Sequence, residues 1–244
     1  MTRDLIRAES ATLVAMSRVQ LNHVRVPRVL HTGQWRGHDV LVQSALPTWA
    51  ARTTLTERDL AAAEREIATV HGTTRERLDT SAYWADLRDR LGALLHHEDG
   101  QALADAAGRL VERCPDLDLE YGAWHGDWTR WNMASTTQGL LVWDWERFTT
   151  GVPLGFDPIH HELHSRLQSG MPGPRAVEQA MHSAKKRLRS SLEMAAECAE
   201  VTALLYLVDL GARYLHDRQA DGGQRLDMIG SWLLTALLRR LGTA

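Results

Sequence analysis

Apolar residues recur every three or four positions along most of the chain, a spacing that predicts amphipathic helices. Eight stretches show this spacing: residues 2–20, 56–70, 81–97, 101–113, 159–167, 174–189, 191–217 and 226–241. Thr56 heads the second stretch as an expected N-cap, and Gly72 lies just past its end. The pattern therefore predicts a largely helical protein.

Two short regions break the helical spacing and predict strands. Residues 28–31 and 39–43 are apolar runs separated by a turn at 33–37, which indicates a small hairpin. Residues 121–125 and 139–145 are apolar runs on either side of a polar loop, with turn residues at 136–139, and predict a second hairpin among helices. The sequence thus favours an α+β fold, with a boundary near the connector at Pro47.

Composition excludes several classes of function. The chain has 28 Lys and Arg against 31 Asp and Glu, so it lacks the basic excess of a nucleic-acid-binding protein. No apolar run reaches the roughly 18 residues that span a bilayer, so we expect no membrane partner. Cys114 and Cys198 are too few for a disulfide framework, which predicts a cytoplasmic location.

The most informative motif lies in the polar loop of the second hairpin. His125, Asp127 and Asn132 stand in the spacing H-x-D-x-x-x-x-N, and Asp144 follows twelve residues later, after an apolar strand. Hard divalent cations such as Mg²⁺ prefer oxygen ligands, so Asn132 and Asp144 suit a nucleotide-bound magnesium ion. Asp127 then remains to orient a hydroxyl group. The alternative is purely structural, with Asp127 and Asn132 as turn formers and Asp144 as a strand-end cap.

These motifs resemble those of the aminoglycoside phosphotransferase and choline kinase-like family, from the helix at Glu9 to about Leu167. The resemblance implies a protein-kinase-like bilobal α+β fold. A reduced N-terminal lobe of one helix and short antiparallel strands, with the hinge, would occupy residues 1–47, and a mostly helical C-terminal lobe residues 48–244. It also implies transfer of the γ-phosphoryl group of ATP, with Mg²⁺, to a hydroxyl of a small molecule such as an aminoglycoside, an amino alcohol or a sugar.

The resemblance assigns roles to the motif residues. Asp127 would be the catalytic aspartate, and Asn132 and Asp144 would be the magnesium ligands. His125 and Asp157, the latter in the run Gly-Phe-Asp-Pro, would brace the catalytic loop rather than react.

The first 47 residues match the family only in part. Glu9 takes the place of the glutamate that pairs with an ATP-clamping lysine, and the end of the first hairpin resembles the hinge that binds adenine, through Gln43, Ser44, Ala45 and Leu46. However, the only lysines are Lys185 and Lys186, and no glycine precedes Glu9. Three explanations stay open: the start lies further upstream, the chain has lost its first strands, or it is a kinase-like module that binds a nucleotide or ligand without efficient catalysis.

Candidate substrate contacts are the two loop tryptophans, Trp128 and Trp131, and the following helix, through His160 and Glu162. A zinc site at His160-His161-Glu162-Leu163-His164 is disfavoured because the run is not the His-Glu-x-x-His pattern. Trp143 and Trp145 fit a core position equally well. A metal-dependent hydrolase is a further alternative, and the substrate and oligomeric state stay open.

Overall fold

The structure is a computed structural model that describes residues 2–221 and 227–240. The helices in these ranges are α1 (Thr2–Met16), α2 (Glu57–Ala68), α3 (Ala82–Gly92), α4 (Glu98–Glu112), α5 (Phe156–Gln168), α6 (Gly173–Ser191), α7 (Ala196–Asp221) and α8 (Asp227–Arg240). The strands are β1 (Val24–Arg25), β2 (Val29–Trp35), β3 (His38–Gln43), β4 (Thr74–Arg77), β5 (Asp118–Trp124), β6 (Met133–Thr136), β7 (Gly139–Val142) and β8 (Thr149–Pro153). Short 3₁₀ turns lie at Leu78–Thr80, Arg130–Asn132 and Trp145–Arg147.

The helical prediction is confirmed for all eight stretches, although several ends differ. Thr56 caps α2, since its Oγ1 accepts a hydrogen bond from Asp59 N at 3.1 Å. The third helix begins after the N-cap Ser81 and ends at Gly92 rather than near residue 97. The predicted limits at residues 226 and 241 lie outside the described residues. None of the helices in the described ranges has a stretch long and apolar enough to cross a membrane.

Within the described residues, three small sheets accompany the helices. Strands β2 and β3 form the predicted first hairpin, and its turn lies at Arg36 and Gly37, where φ is positive. Strands β4, β5 and β8 form an antiparallel sheet in the order β4-β5-β8. In the third sheet, β7 pairs antiparallel with β6 and parallel with β1.

The predicted second hairpin is only partly correct. Its turn at residues 136–139 is present, but it joins β6 to β7, while the apolar run at 121–125 belongs to a different sheet. The strand partners of β5 gave little signal in the sequence. Strand β4 has the sequence Thr-Arg-Glu-Arg and is exposed throughout, so it lacks the alternation of apolar residues by which strands are recognised.

Two hydrophobic cores hold the helices and strands together. The smaller core joins α1 and α2 to the β6–β7 hairpin through Leu13, Met16, Ile67, Trp128 and Trp145. The larger core packs α3 to α8 against β5 and β8. The smaller core takes residues from both sides of residue 47, and the division into lobes at this point stays a prediction.

Candidate active site

Asp127 lies in the loop between β5 and β6, and both of its carboxylate oxygens form hydrogen bonds. His160 Nε2 lies 3.0 Å from Oδ1, and Asn132 Nδ2 donates to Oδ2 at 2.8 Å. Burial alone would raise the pKa of Asp127, but the hydrogen bond from His160 and the positive charge of Arg213 bring it well below its usual range. The side chain is 29% exposed, so an ionised carboxylate reaches the surface here.

His125 links the catalytic loop to the end of β7. Its Nδ1 accepts a hydrogen bond from Asp127 N at 3.2 Å, and its Nε2 lies 3.1 Å from the carbonyl oxygen of Trp143. A carbonyl only accepts, so Nε2 carries the proton and the imidazole is neutral. Burial favours the same state, because it lowers the pKa of His125 to about 4. The side chain therefore fixes the backbone of Asp127, and its bracing role stays a prediction.

Asp157, in the first turn of α5, bonds to the backbone of the loop that contains Asp127. Its Oδ2 accepts from His125 N at 2.7 Å, and its Oδ1 accepts from Gly126 N at 3.3 Å. Burial raises the pKa of Asp157 to about 7, against the lowering effect of these two hydrogen bonds. The carboxylate thus satisfies two backbone donors that would otherwise be buried without partners.

Gly126 allows the loop to approach the segment after β7. Its φ of +86° suits glycine, and a Cβ added there would lie 2.3 Å from the carbonyl oxygen of Arg147. Its own carbonyl accepts a hydrogen bond from Arg213 Nη1 at 2.6 Å. Any larger residue would push Asp127 away from the chain that carries Asp144.

Asn132 and Asp144 meet at the end of the β6–β7 hairpin. Trp143 N donates to Asn132 O at 3.1 Å, and Asp144 follows in a left-handed conformation with φ of 68°. Burial and the charges of Asp127 and Glu9 raise the pKa of Asp144, while a hydrogen bond from the Asn132 side chain opposes the rise. Asn132 donates through Nδ2, which leaves Oδ1 as the atom that could bind a metal ion.

This donor set fits Mg²⁺ when a phosphate completes it. Crowded carboxylates and an amide oxygen are the hard ligands that this ion prefers. Within the described residues, no group of three or more His, Cys, Asp or Glu side chains is placed to hold a metal. A magnesium ion here would therefore need oxygen ligands from a bound nucleotide as well as from the protein.

Glu9 on α1 lies beside the proposed metal site. Its Oε1 accepts from Trp145 N at 3.4 Å, which ties α1 to the chain just after Asp144. Within the described residues it has no lysine partner, because Lys185 and Lys186 lie on α6 and Lys185 forms an ion pair with Glu200. The structure therefore places Glu9 near the site without the lysine of the family pattern.

The proposed hinge follows β3. Ser44 N donates to Arg28 O at 2.8 Å, and Ser44 Oγ accepts from Arg28 N at 2.9 Å. The carbonyl of Leu46 accepts from Thr48 N at 2.7 Å. These bonds occupy the N–H of Ser44 and engage the carbonyl of Leu46, so Gln43 and Ala45 remain the better groups to recognise adenine.

The two loop tryptophans differ sharply. Trp128, expected at the substrate, is fully buried, and its Nε1 donates to Glu64 Oε1 at 3.2 Å, so that expectation is wrong. Glu64 also accepts hydrogen bonds from Nη2 of Arg187, at 2.9 Å to Oε1 and 2.7 Å to Oε2. This pair links α2 to α6. Trp131 is 50% exposed and packs edge-on against His164, with ring centroids 5.9 Å apart. Only Trp131 is open to a ligand.

The contacts of His160 and Glu162, the two candidate substrate contacts on α5, also differ from those expected. His160 is fully buried, so it does not offer a surface to a substrate as expected; it contacts Asp127 instead. Glu162 is half-buried and pairs with Arg166 at 3.0 Å and with Arg187 at 3.6 Å, which balances its charge. Of Trp143 and Trp145, which fitted a core position equally well, Trp145 is buried in the smaller core.

Sequence reasoning missed three contacts made by α7. Tyr206 reaches His160, Arg213 reaches Gly126, and Asp217 pairs with Arg147 at 3.1 Å beside the proposed metal site. These residues lie seven and four positions apart, on one face of the helix. The available signal was the presence of Asp209 and Arg213 in the largely apolar stretch at 201–215 of α7, which marks a face with polar partners.

Comparisons with known proteins identify similar structures. The chain is similar to a thermostable mutant of aminoglycoside phosphotransferase APH(4)-Ia in ternary complex with ADP and hygromycin B, with a TM-score of 0.59 and 15% identity over 98% of this chain and 83% of that one. It is similar to a proposed fructosamine-3-kinase from Haemophilus somnus 129PT, with a TM-score of 0.55 and 15% identity over 96% and 80% of the two chains. A third similar structure is the gentamicin–APH(2'')-IIa complex, with a TM-score of 0.52 and 16% identity over 97% and 81%.

At these identities the structural likeness establishes the fold, which is the α+β kinase-like fold that the motifs implied. The comparison with curated protein sequences gave no match. A family model described as the phosphotransferase enzyme family (APH) matches residues 2–155, well over half of the sequence. The chain belongs to this phosphotransferase family.

Proposed function

We propose that the protein transfers the γ-phosphoryl group of ATP to a hydroxyl group of a small molecule. The observation that carries the proposal is the placement of Asp127, an ionised and partly exposed carboxylate in direct contact with Asn132, next to the strand end that bears Asp144. Family membership supports the broader activity of a phosphotransferase.

Asp127 orients the attacking hydroxyl by accepting its hydrogen bond. Its lowered pKa makes it a weak base, which suits a reaction in which the transferred group is largely detached from the leaving oxygen before the hydroxyl loses its proton. Positioning then contributes more than proton abstraction. His125 and Asp157 hold the backbone of this loop in place through buried hydrogen bonds.

Asn132 and Asp144 are the residues that would hold Mg²⁺. When bound, the ion would neutralise charge on the β- and γ-phosphate oxygens of the nucleotide. The structures with ADP and with AMP-PNP among the similar proteins support nucleotide binding by this fold. We place the adenine near Gln43 and Ala45, at the end of β3.

The acceptor would bind on the side of Trp131, whose exposed indole lies next to Asn132 in the chain. The similar structures carry hygromycin B and gentamicin, so aminoglycosides are the first acceptors to test, followed by amino alcohols and sugars. We expect the protein to act in the cytoplasm, since Cys114 and Cys198 are both free thiols.

A second candidate is a module that binds a nucleotide without efficient transfer. It is favoured by Glu9, which bonds to the backbone of Trp145 and meets no lysine within the described part of the chain. The ATP-clamping lysine of the family pattern would stabilise the charge that develops on the phosphates, a contribution on the order of several kcal/mol.

The experiment that separates the two follows transfer of radiolabelled γ-phosphate from Mg·ATP to hygromycin B, gentamicin, choline and glucosamine, with Mg·ATP binding measured in parallel. Labelled acceptor that is lost in Asp127→Asn supports the enzyme. Nucleotide binding with no labelled acceptor supports the module. Equal release of ADP with and without an acceptor, together with free labelled phosphate, would indicate a hydrolase instead.

A further inference from the structure

Two buried side chains outside the catalytic loop form a chain of hydrogen bonds that ends on Asp127. Tyr206 Oη on α7 lies 2.9 Å from Nδ1 of His160, and Nε2 of His160 on α5 lies 3.0 Å from Oδ1 of Asp127. Tyr206 and His160 are both fully buried. Bulk water therefore does not compete for either bond.

The direction of each bond follows from what the groups can donate. A carboxylate at neutral pH only accepts hydrogen bonds, so His160 must donate from Nε2 to Oδ1 of Asp127. A neutral imidazole with its proton on Nε2 has only a lone pair at Nδ1, so Tyr206 must donate its hydroxyl proton there. Burial favours this neutral imidazole, since it lowers the pKa of His160 to about 3.

We propose that His160 and Tyr206 are positioning residues that hold the carboxylate of Asp127 in the orientation needed to receive a substrate hydroxyl. The proposal rests on the function proposed above for Asp127. Asp127 sets the tautomer of His160, and Tyr206 anchors the other side of the ring by donating to Nδ1. His160 then fixes Oδ1, while Asn132 fixes Oδ2. Neither residue touches the substrate.

Packing keeps the imidazole in the required plane. The ring of His160 stacks on that of His164, with centroids 4.1 Å apart and planes inclined by 22°. Trp124 and Tyr206 contact it edge-on, at centroid distances of 6.2 and 6.0 Å. With His164 stacked on it and two further aromatic rings packed against it, the imidazole is held as a rigid donor rather than as a mobile proton carrier.

Without the hydroxyl of Tyr206, Nδ1 of His160 would lose its donor, and the imidazole would lose the hydrogen bond that anchors the side away from Asp127. The ring could then tilt and draw Nε2 away from Oδ1 of Asp127. A displacement of about 1 Å at a reacting group can reduce a rate by about 100-fold.

The first test reads the tautomer directly and needs no substrate. The full chain is labelled with ¹⁵N-histidine, and two-bond ¹H–¹⁵N correlations are recorded at about pH 7.5, with the His160 signals assigned by their absence in His160→Gln. We expect a protonated Nε2 and an unprotonated, hydrogen-bonded Nδ1 in the native chain. In Tyr206→Phe we expect Nε2 to stay protonated and the Nδ1 signal to move towards that of a lone pair without a hydrogen bond. Tyr83→Phe is the matched control, because it removes an equally buried hydroxyl that bonds to Asp209, at 3.1 Å. An imidazolium or an Nδ1–H tautomer in the native chain would overturn the proposal.

The second test uses the acceptor from the panel that the full chain phosphorylates fastest. Leucine and glutamine are nearly equal in size, and only glutamine carries an N–H donor that reaches the position of Nε2. We expect His160→Leu to lower kcat by about 10- to 100-fold while KM for Mg·ATP changes less than about twofold, and His160→Gln to keep kcat within about threefold of the native value. Equal losses in both variants, at equal thermal stability, would show that the residue is only structural.

The outcomes separate this proposal from the proposed function. If Asp127→Asn keeps full transfer, the role proposed for Asp127 fails regardless of the result for His160, and the positioning role fails with it. If Asp127→Asn is inactive and His160→Leu is fully active, only the positioning role fails. If no acceptor in the panel is phosphorylated, the tautomer of His160 decides the geometry by itself.

Discussion

The amide of Asn132 donates to Oδ2 of Asp127 at 2.8 Å, so the proposed metal ligand and the proposed catalytic carboxylate are in direct contact. Both residues are held by neighbouring parts of the same loop, since Asn132 Nδ2 also donates to the backbone carbonyl of Asp127 at 3.0 Å. A change that moves one of them therefore moves the other. The position of the metal and the position of the attacking hydroxyl are set together.

Replacing Asp127 with asparagine should remove most of the activity. The neutral amide cannot accept the hydroxyl hydrogen bond with the same strength and presents an N–H group to His160 or Asn132. We expect kcat to fall by about 10²- to 10⁴-fold, with KM for Mg·ATP nearly unchanged. Steady-state kinetics with the best acceptor measure both values, and an unaltered kcat in a correctly folded variant would contradict the role given to Asp127.

Replacing Asp144 with asparagine should raise the Mg²⁺ concentration needed for half-maximal activity. The loss of a charged ligand weakens the ion's hold, and we expect an increase of about tenfold or more. Glu146→Gln is the matched control, because Glu146 belongs to the same acidic cluster, as the effect of Asp144 on its pKa shows, but is not a proposed ligand. Titration with MgCl₂ at fixed ATP compares them; equal shifts would argue for a general charge effect.

Replacing Asp157 with asparagine should destabilise the fold. Each carboxylate oxygen of Asp157 accepts from a different N–H, of His125 or of Gly126, so in asparagine the new NH₂ group would face one of these backbone donors. We expect the free energy of unfolding to fall by about 1–3 kcal/mol. Urea denaturation at about pH 8 measures it, with Asp116→Asn as the control, since Asp116 is 86% exposed. A stable variant would mean that the buried carboxylate does not support the loop.

The two loop tryptophans should respond differently to truncation. Trp131→Ala removes a half-exposed side chain, so we expect KM for the acceptor to rise while the free energy of unfolding changes little. Trp128→Ala empties a fully buried site and should cost about 3–5 kcal/mol of stability. Urea denaturation and acceptor kinetics on both variants provide the comparison. An unchanged KM in Trp131→Ala would remove this residue from the acceptor site.

Acidification should weaken the fold through buried histidines. Burial lowers the pKa of His160 from an ordinary value of 6.5 to about 3. Below about pH 6.5 the unfolded chain therefore binds a proton at this histidine, while the folded chain does not. The stability contributed by the neutral imidazole is therefore present above pH 6.5 and is lost as the pH falls towards 3. Between about pH 7.5 and pH 5 this one group should cost about 2 kcal/mol.

His160→Gln isolates that contribution, because glutamine does not titrate. Unfolding by urea at both pH values gives the change in stability for each chain, and the native chain should lose more than the variant by the amount given above. Parallel losses in the two chains would show that His160 titrates normally in the folded state.

The helices and the catalytic loop were predictable because their signals are local. Helical spacing indicated all eight helices, and Thr56 was recognisable as a cap from its own neighbourhood. The environment of Trp128 was not, because the residue that fixes it, Glu64 on α2, lies 64 positions away. The link from His160 to Tyr206 spans 46 positions in the same way. Contacts of this kind depend on how helices pack, and no short segment encodes them.

Strand β4 illustrates the other kind of failure. Its four residues are polar and exposed, and they form a strand because β5 offers them a free edge with the register Thr74↔Tyr121 to Arg77↔Asp118. Pairing is therefore decided by the partner rather than by the propensity of the segment itself.

The helix that carries Tyr206 and Arg213 begins at Ala196, well beyond residue 155, where the match to the family model ends. Exchanging the last helices of this chain for those of a relative would also exchange the groups that hold His160 and Gly126. Such chimeras would lose turnover for a reason unrelated to acceptor fit unless both side chains were carried over with the graft.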